Sequence, residues 1–285
     1  MSSTVGYWLQ LARNPFLVIC AILLLAVLLF GPVMSQFVDT DLVKVGSSVP
    51  DQPPSAEHPF GTDTVGRDIL AVLVVGTPLT LRIGLIAGTI GLGLGTLFGF
   101  LAGYFGGWVD TLLKGAADVL LTVPGLLFLV VVATTLRGAV NVNMMAIVVA
   151  MLAWMWPTRT IRSQVLTLRE RQFVMVARLS GLNGIEIIVR ELIPNLLPYL
   201  AASFVSAVSS AILASIGLEA LGLGPQNVPT LGMTIYWSQY YTSVLRGIWW
   251  WWSAPIAMII ITFVGLFLLS MGLDQVANPK LRRAV

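Results

Sequence analysis

The sequence predicts an all-α protein that crosses a membrane several times. Three observations carry that prediction. Hydrophobic residues make up 57% of the 285 residues and charged residues only 10%, whereas a soluble domain carries about 25% charge. Mean hydropathy is +0.89. The apolar residues come in long unbroken runs rather than the alternation of a barrel strand, and such a run satisfies its backbone in lipid only as a helix. A cytosolic enzyme, a disordered chain and a disulfide scaffold are thereby excluded. The formal charge of +3 gives no support to nucleic-acid binding. The one cysteine, Cys20, lies in an apolar run and reads as a small hydrophobe.

A span needs about 20 apolar residues, and six runs meet this. The first is Pro15 to Met34; no small-residue cleavage site comes after it, so it reads as a retained span rather than a signal peptide. The second runs from Leu81 to Tyr104, the third from Val119 to Leu136 and the fourth from Met144 to Ile161. The fifth covers Leu192 to Gly217 and the sixth Ala254 to Leu273. The basic residues orient them. Six spans place Arg13, Lys114, Arg159, Arg162, Arg169, Arg171, Arg178, Arg190, Lys280, Arg282 and Arg283 on one side. Only Lys44, Arg67, Arg82, Arg137 and Arg246 fall on the other. Both termini are therefore expected in the cytoplasm. The resulting organisation is a cytoplasmic N-terminus (1–13), a membrane domain (14–273) and a cytoplasmic C-terminus (274–285). Segment 35–80 is expected outside and segment 163–193 inside.

Two patterns speak to packing. Gly91, Gly95, Gly99 and Gly103, preceded by Gly84 and Gly88, recur every four residues or nearly so. On a helix they form one face on which another backbone can approach closely. Tyr236, Trp237, Tyr240, Tyr241 and Trp249 to Trp252 precede the sixth span and read as an interfacial belt; a substrate-stacking platform is the less favoured alternative. Asp118, Glu219 and Asp274 sit at span ends, where water is expected to reach them.

The missing chemistry is informative too. None of the three lysines lies in a phosphate-cradling glycine loop. The single histidine, His58, excludes a His-based metal cluster or a Ser-His-Asp triad, and metal ligation is not expected. The spans carry no ionisable group near their middle, which argues against an ion-coupled carrier and against an intramembrane enzyme.

The most informative stretch lies between spans four and five. Arg169, Glu170, Arg171, Arg178, Glu186, Arg190 and Glu191 would each cost about 2–3 kcal/mol at the bilayer centre, so this stretch cannot cross. Phe173 to Ser180 favours a short helix that ends at Gly181, a residue suited to a left-handed cap. Asn183 and Glu186 have the spacing of a capping box for a second helix, on which Ile185, Ile188 and Leu192 share a face. Pro194 and Pro198 limit how far that helix can extend. The shape is helix, glycine elbow, helix. Shape alone leaves open an amphipathic hairpin on lipid and a docking element for a cytoplasmic partner.

Three motifs now carry a resemblance. Ala177, then Gly181, then Ile193-Pro194 resemble the EAA loop of ABC-importer permeases, with Met175 and Val176 standing at the glutamate and first alanine positions. The run His58-Pro59-Phe60-Gly61-Thr62-Asp63-Thr64-Val65-Gly66-Arg67-Asp68 resembles the HPLGTDxxGRD segment of the dipeptide, oligopeptide and nickel permeases, in their C-type subunit. Ala102-Gly103-Tyr104-Phe105-Gly106-Gly107 with Asp110 is similar to that family's AGYxGGxxD, and Gly272-Leu273-Asp274 followed by Asn278-Pro279-Lys280-Leu281-Arg282 is similar to its C-terminus. The order matches over residues 14–282.

The resemblance implies the type I ABC-importer permease fold: six transmembrane helices with a cytoplasmic coupling-helix elbow. It implies an inner-membrane subunit of a prokaryote that pairs with a homologous permease. Two ATP-binding subunits and an extracytoplasmic substrate-binding protein complete the complex. ATP and magnesium would sit on the partners, and this chain would hold no cofactor and catalyse nothing. The implied ATPase-coupling residues are Met175, Val176, Ala177, Arg178, Gly181, Leu182, Asn183, Ile193 and Pro194. The outer motif comprises His58, Gly61, Thr62, Asp63, Gly66, Arg67 and Asp68, read chiefly as a folded loop and helix start. Ser206, Ser209 and Ser210, with Ser203 beside them, are candidates for a polar translocation path. Peptides rank first as cargo, oligosaccharides second and nickel last. A secondary transporter working without ATP is the rival of a different class.

Overall fold

The computed structural model describes residues 15–135 and 140–277, and among these the secondary structure is helical with one isolated β-bridge, Thr62 to Asp68. Residues 1–13, Arg137 and the stretch 278–285, which hold part of the topology argument and most of the C-terminal motif, lie outside the described residues.

Helix α1 is Pro15–Met34. An irregular outer segment with one 3₁₀ turn, Thr40–Val43, leads to α2, Ile69–Phe105. Then come α3 (Gly107–Thr122), α4 (Gly125–Thr135), α5 (Val142–Ala153), α6 (Met155–Leu168) and α7 (Gln172–Leu179). The turn α8, Gly184–Ile187, passes through a π-helical turn, Ile188–Leu192, into α9, Ile193–Ala220. Helices α10 (Leu231–Tyr240) and α11 (Trp249–Ala277) complete the bundle.

Three stretches are single apolar helices long enough to cross a membrane: α2, Gly184–Ala220 and α11 up to Leu273. Two helix pairs pass only when taken together. These are α3 with α4, bent by 87°, and α5 with α6, bent by 42°. Up to five spans are therefore supported, with α1 contributing a shorter apolar stretch from Ile22. The predicted third and fourth spans are thus broken helices. Pro124 explains the first break, because it disfavours helical backbone at the preceding residue; Val123 is extended at ψ 129°. Trp154 and Pro157 mark the second.

Several predicted boundaries move: the first bent pair begins at Gly107 rather than Val119, the second ends at Leu168 rather than Ile161, and two other starts shift. The sequence places the start of the second span at Leu81, yet α2 starts at Ile69, and its first turns are buried: Ile69, Ala71 and Val72 are wholly enclosed. At about 1.5 Å per residue α2 is roughly 55 Å long, so it stands well clear of a hydrocarbon layer of about 30 Å. The sixth span starts at Trp249 rather than Ala254.

Helix α2 is the spine, with α5, α6 and α9 packed along it. Its glycine face makes this possible. A Cβ at Gly84 or Gly88 would strike Ile212 and Val208 of α9. At Gly91 it would overlap Ala153. At Gly95 it would lie 2.5 Å from Pro157, at Gly99 2.9 Å from Ile161 and at Gly103 2.8 Å from Val165. One row of glycines thus seats first α9 and then the α5–α6 pair, as a small-residue face should.

The aromatic cluster is more than a belt. Trp251 is wholly buried and stacks on Tyr241, ring centres 5.9 Å apart. The Trp250 indole N–H donates to the Thr62 carbonyl at 3.0 Å. These rings fasten the outer segment to the foot of α11 and α2, a core role. Glu219 also departs from expectation: it is wholly buried, and its carboxylate accepts from the Thr230 hydroxyl at 2.8 Å.

Candidate functional site

Three sets of sequence-predicted residues occupy three places: an elbow, an outer cap and a cleft.

The elbow has the predicted shape. Helix α7 ends at Leu179 with Ser180 as its cap, and Gly181 comes next at φ +84°. The Leu182 N–H reaches the Ala177 carbonyl at 3.2 Å and the Gly181 N–H reaches that of Arg178 at 3.0 Å. That pair of bonds is a Schellman motif, which needs a left-handed residue at Gly181. Asn183 and Glu186 close a reciprocal capping box, both bonds at 2.9 Å. Val174, Ala177, Ile187, Ile188 and Leu192 are buried against Phe100, Ile161 and Val165, where each large side chain contributes about 1.5–3 kcal/mol on leaving water. The buried face thus holds Ile187 beside Ile188, whereas Ile185 points out. The opposite face is apolar yet uncovered: Met175, Val176 and Leu179 are 62%, 61% and 83% exposed.

The second elbow helix runs into α9 without a gap, contrary to the limit expected from Pro194. The π turn is the reason. Proline lacks the N–H for an i→i−4 bond, and its ring clashes with that carbonyl; the widened turn sends the Ile193 N–H to Ile188 instead.

What holds the elbow is the Ala102–Gly107 motif. Gly106 and Gly107 turn the chain between α2 and α3 at φ +68° and +54°. Arg169 donates to the Gly103 carbonyl at 3.0 Å, and Arg162 pairs with Asp110. Arg178 lies over the Tyr104 ring, and a Cβ on Gly184 would meet Tyr104 at 2.9 Å. Sequence pattern alone gives this motif no task. Its signal is the pairing of Asp110 with the basic end of the fourth span.

The outer motif is a closed knot. His58 Nδ1 and Asp68 Oδ2 are 2.7 Å apart, while Asp68 Oδ1 caps α2 by accepting from the Ala71 N–H at 2.8 Å. Asp63 accepts from the N–H groups of Val65 and Arg67 and from Arg67 Nε, at 3.0, 2.8 and 2.6 Å. Burial pushes the Asp63 carboxyl above the usual carboxylate range, and Arg67 draws it back only in part. Thr62 Oγ1 donates to the Val49 carbonyl and accepts from the Gln52 N–H. Gly61, at φ +70°, leaves no room for a Cβ beside the Gln52 carbonyl and Trp250; Gly66 is likewise pressed on the Ser48 carbonyl. Arg246 reaches across from the 242–248 turn to Asp51 and Thr64. The buried polar side chains of the knot satisfy one another or the local backbone, so it acts as a rivet. Among the described residues no three His, Cys, Asp or Glu side chains converge as metal ligands.

The serines line a cleft of about 510 Å³ between α4, the α5–α6 break and α9. Ser203, Ser206 and Ser210 face it; Ser209 does not, and its hydroxyl donates to the Val205 carbonyl. The structure adds Thr160, Tyr199 and, from α11, Ser270, whose hydroxyl is 3.4 Å from that of Ser206. Ser270 lies 64 residues from Ser206, beyond any local pattern.

A multi-pass helical bundle with an exposed elbow and a hydroxyl-lined cleft is built as a membrane transport component. Residues 95–283 match the family described as "Binding-protein-dependent transport system inner membrane component", and the chain belongs to that family. It is 32% identical over 239 residues to the oligopeptide transport system permease protein OppC of Mycobacterium tuberculosis, covering 82% of this chain and 81% of the relative. It is 30% identical over 285 residues to the dipeptide transport system permease protein DppC of Bacillus subtilis, covering 99% and 88%. The DppC protein of Alkalihalophilus pseudofirmus is 30% identical over 274 residues, with 96% and 88% covered.

Proposed function

We propose that this chain is one of two homologous permease subunits of a peptide importer driven by ATP. The observation that carries the reading is the elbow: one face buried on the bundle, the other an uncovered apolar face of Met175, Val176 and Leu179. An apolar face set among charges and clear of the bundle suits contact with a partner protein, and the family match supports that over a hairpin lying on lipid. Its occupant here is an ATP-binding subunit, and Met175 to Arg178, Gly181 to Asn183, and Ile193-Pro194 transmit that subunit's movement. The relatives named for oligopeptide and dipeptide transport support peptides as cargo.

In this reading six helices cross the membrane, α1 and the two broken pairs included. Both termini and the elbow face the cytoplasm, and segment 35–80 faces a substrate-binding protein outside. ATP and magnesium belong to the partner subunits, and this chain binds no cofactor. Closure of the ATPases swings the elbow about Gly181, and the rigid α2 carries the movement outward. A two-state bundle then alternates the open side of the pathway. Domains 1–13, 14–273 and 274–285 follow from this orientation.

The test is reconstitution of the chain with its partner permease, ATPases and binding protein in liposomes. Peptide-dependent ATP hydrolysis with peptide accumulation is the expected result. Accumulation without ATP would replace this reading by a secondary transporter, and hydrolysis stimulated only by oligosaccharide or nickel would replace the cargo.

A further inference from the structure

We propose that the wall this subunit gives to the translocation path is electrically neutral and holds peptide through hydroxyl groups. The side-chain charge of the cargo is therefore not selected at this wall. The inference rests on the importer reading and deepens it.

The cleft carries no charged side chain among the described residues that line it. Its polar groups come from three helices: Thr160 of α6, Tyr199, Ser203, Ser206 and Ser210 of α9, and Ser270 of α11. Hydroxyls both donate and accept, so they suit the alternating N–H and C=O groups that every peptide presents whatever its side chains. The Ser206 and Thr160 hydroxyls donate to carbonyls of their own helices, which leaves their oxygen lone pairs to accept from a peptide N–H. Trp156, 65% exposed, adds an aromatic face at the mouth. The α5–α6 break and the start of α4 border the cleft on one side, and the unbroken α9 and α11 border it on the other. A free divalent cation would find no carboxylate, imidazole or thiolate here, which makes an organic cargo the fitting occupant.

The charged side chains nearby are turned elsewhere. Arg159 approaches Asp118 at 3.5 Å, and Arg162 pairs with Asp110. Neither arginine lines the cleft.

The experiment uses the reconstituted importer with saturating binding protein loaded with trialanine or its analogues with central lysine or glutamate. The wild-type turnover numbers should agree within about threefold, while Ser210→Asp should favour the lysine peptide over the glutamate peptide by about tenfold and Ser210→Lys should reverse that ratio, as a fixed charge in a low-dielectric path requires. Wild-type discrimination beyond about tenfold by charge would overturn the proposal. So would charged variants that leave the ratio of the two charged peptides unmoved.

A second measurement separates the two levels of failure. In a Cys20→Ser background, Ser206→Cys should be modified by a small thiol reagent in the assembled importer, with loss of uptake and protection by cargo. A thiol that is covered by the partner permease, or modified without effect, overturns the neutral-path proposal and leaves the importer reading standing. Absence of peptide uptake by an assembled, ATP-hydrolysing complex overturns both.

Discussion

The Arg178 guanidinium lies 5.5 Å above the centre of the Tyr104 ring, a cation–π contact that ties the elbow helix α7 to the end of the spine α2. Such a pair is worth about 0.5–1 kcal/mol at an exposed site, too little to decide folding but enough to bias an interface. The expected outcome of Arg178→Ala or Tyr104→Leu is an assembled importer that moves less peptide per ATP hydrolysed. The double variant should be no worse than the worse single one, because the two residues share one contact. Additive losses in a stoichiometry assay would show that they act independently.

Gly181 carries a different kind of demand. At φ +84°, with nothing within 4 Å of where a Cβ would lie, only the backbone objects to a side chain. Valine there costs about 1–2 kcal/mol in left-handed strain and opens the Schellman turn. Gly181→Val should insert normally, lose transport and associate weakly with the ATPases, while Gly181→Asn, which tolerates that region, should retain most activity. Wild-type uptake by the valine variant would remove the elbow from coupling.

The glycine face of α2 sets the third expectation. A leucine at Gly95 must displace Pro157 and the Trp154 carbonyl, and one at Gly99 must displace Ile161. Overpacking of this kind costs about 1–3 kcal/mol, and here it strikes backbone as well. Gly95→Leu and Gly99→Leu should reduce the yield of assembled complex, whereas Leu94→Ile, on a partly exposed position of the same helix, should not. Size-exclusion yield in detergent is the measurement, and normal assembly of both glycine variants would mean that the face does not hold the bundle.

These residues also show what the sequence could and could not reveal. The helix class, the glycine face and the capped elbow rest on local rules of spacing, and each was legible. The breaks at Val123-Pro124 and Trp154 carry a local signal in Pro124 and Pro157, but hydropathy continues across them and does not sense direction, so it reads each pair as one straight span. The extra turns of α2 before Leu81 escape because Pro78, Thr77 and Thr80 interrupt the apolar run; they are buried by Phe30 of α1, Leu231 of α10 and the Ile248–Trp251 stretch, a tertiary effect. Glu219 reads as solvated because helix ends usually are, yet Gly224 and Gly232 close over it so tightly that a Cβ on either would lie within 2.6 Å of its side chain. The cleft needs Ser270 and Thr160 from other helices, and no single-helix pattern joins them.

The last expectation concerns sidedness, on which the coupling role depends. Eleven of the 16 basic residues fall on the side read as cytoplasmic, and positive residues in short loops are retained inside. The elbow lies on that side, and its uncovered Met175, Val176 and Leu179 need a soluble partner there. The knot around His58 and Asp68 lies at the opposite end of α2 from Tyr104, about 55 Å away along the helix at 1.5 Å per residue. Ser55 in the knot and Ser163 in α6 are both exposed, so a thiol at either position is reachable from its own side of the membrane. In a Cys20→Ser background, a membrane-impermeant thiol reagent applied to intact cells (spheroplasts where an outer membrane is present) should label Ser55→Cys. It should leave Ser163→Cys and Ala284→Cys unlabelled until the membrane is opened. Labelling of Ser163→Cys in intact cells would put the elbow outside, where no ATPase can reach it, and the importer mechanism would fall with that result.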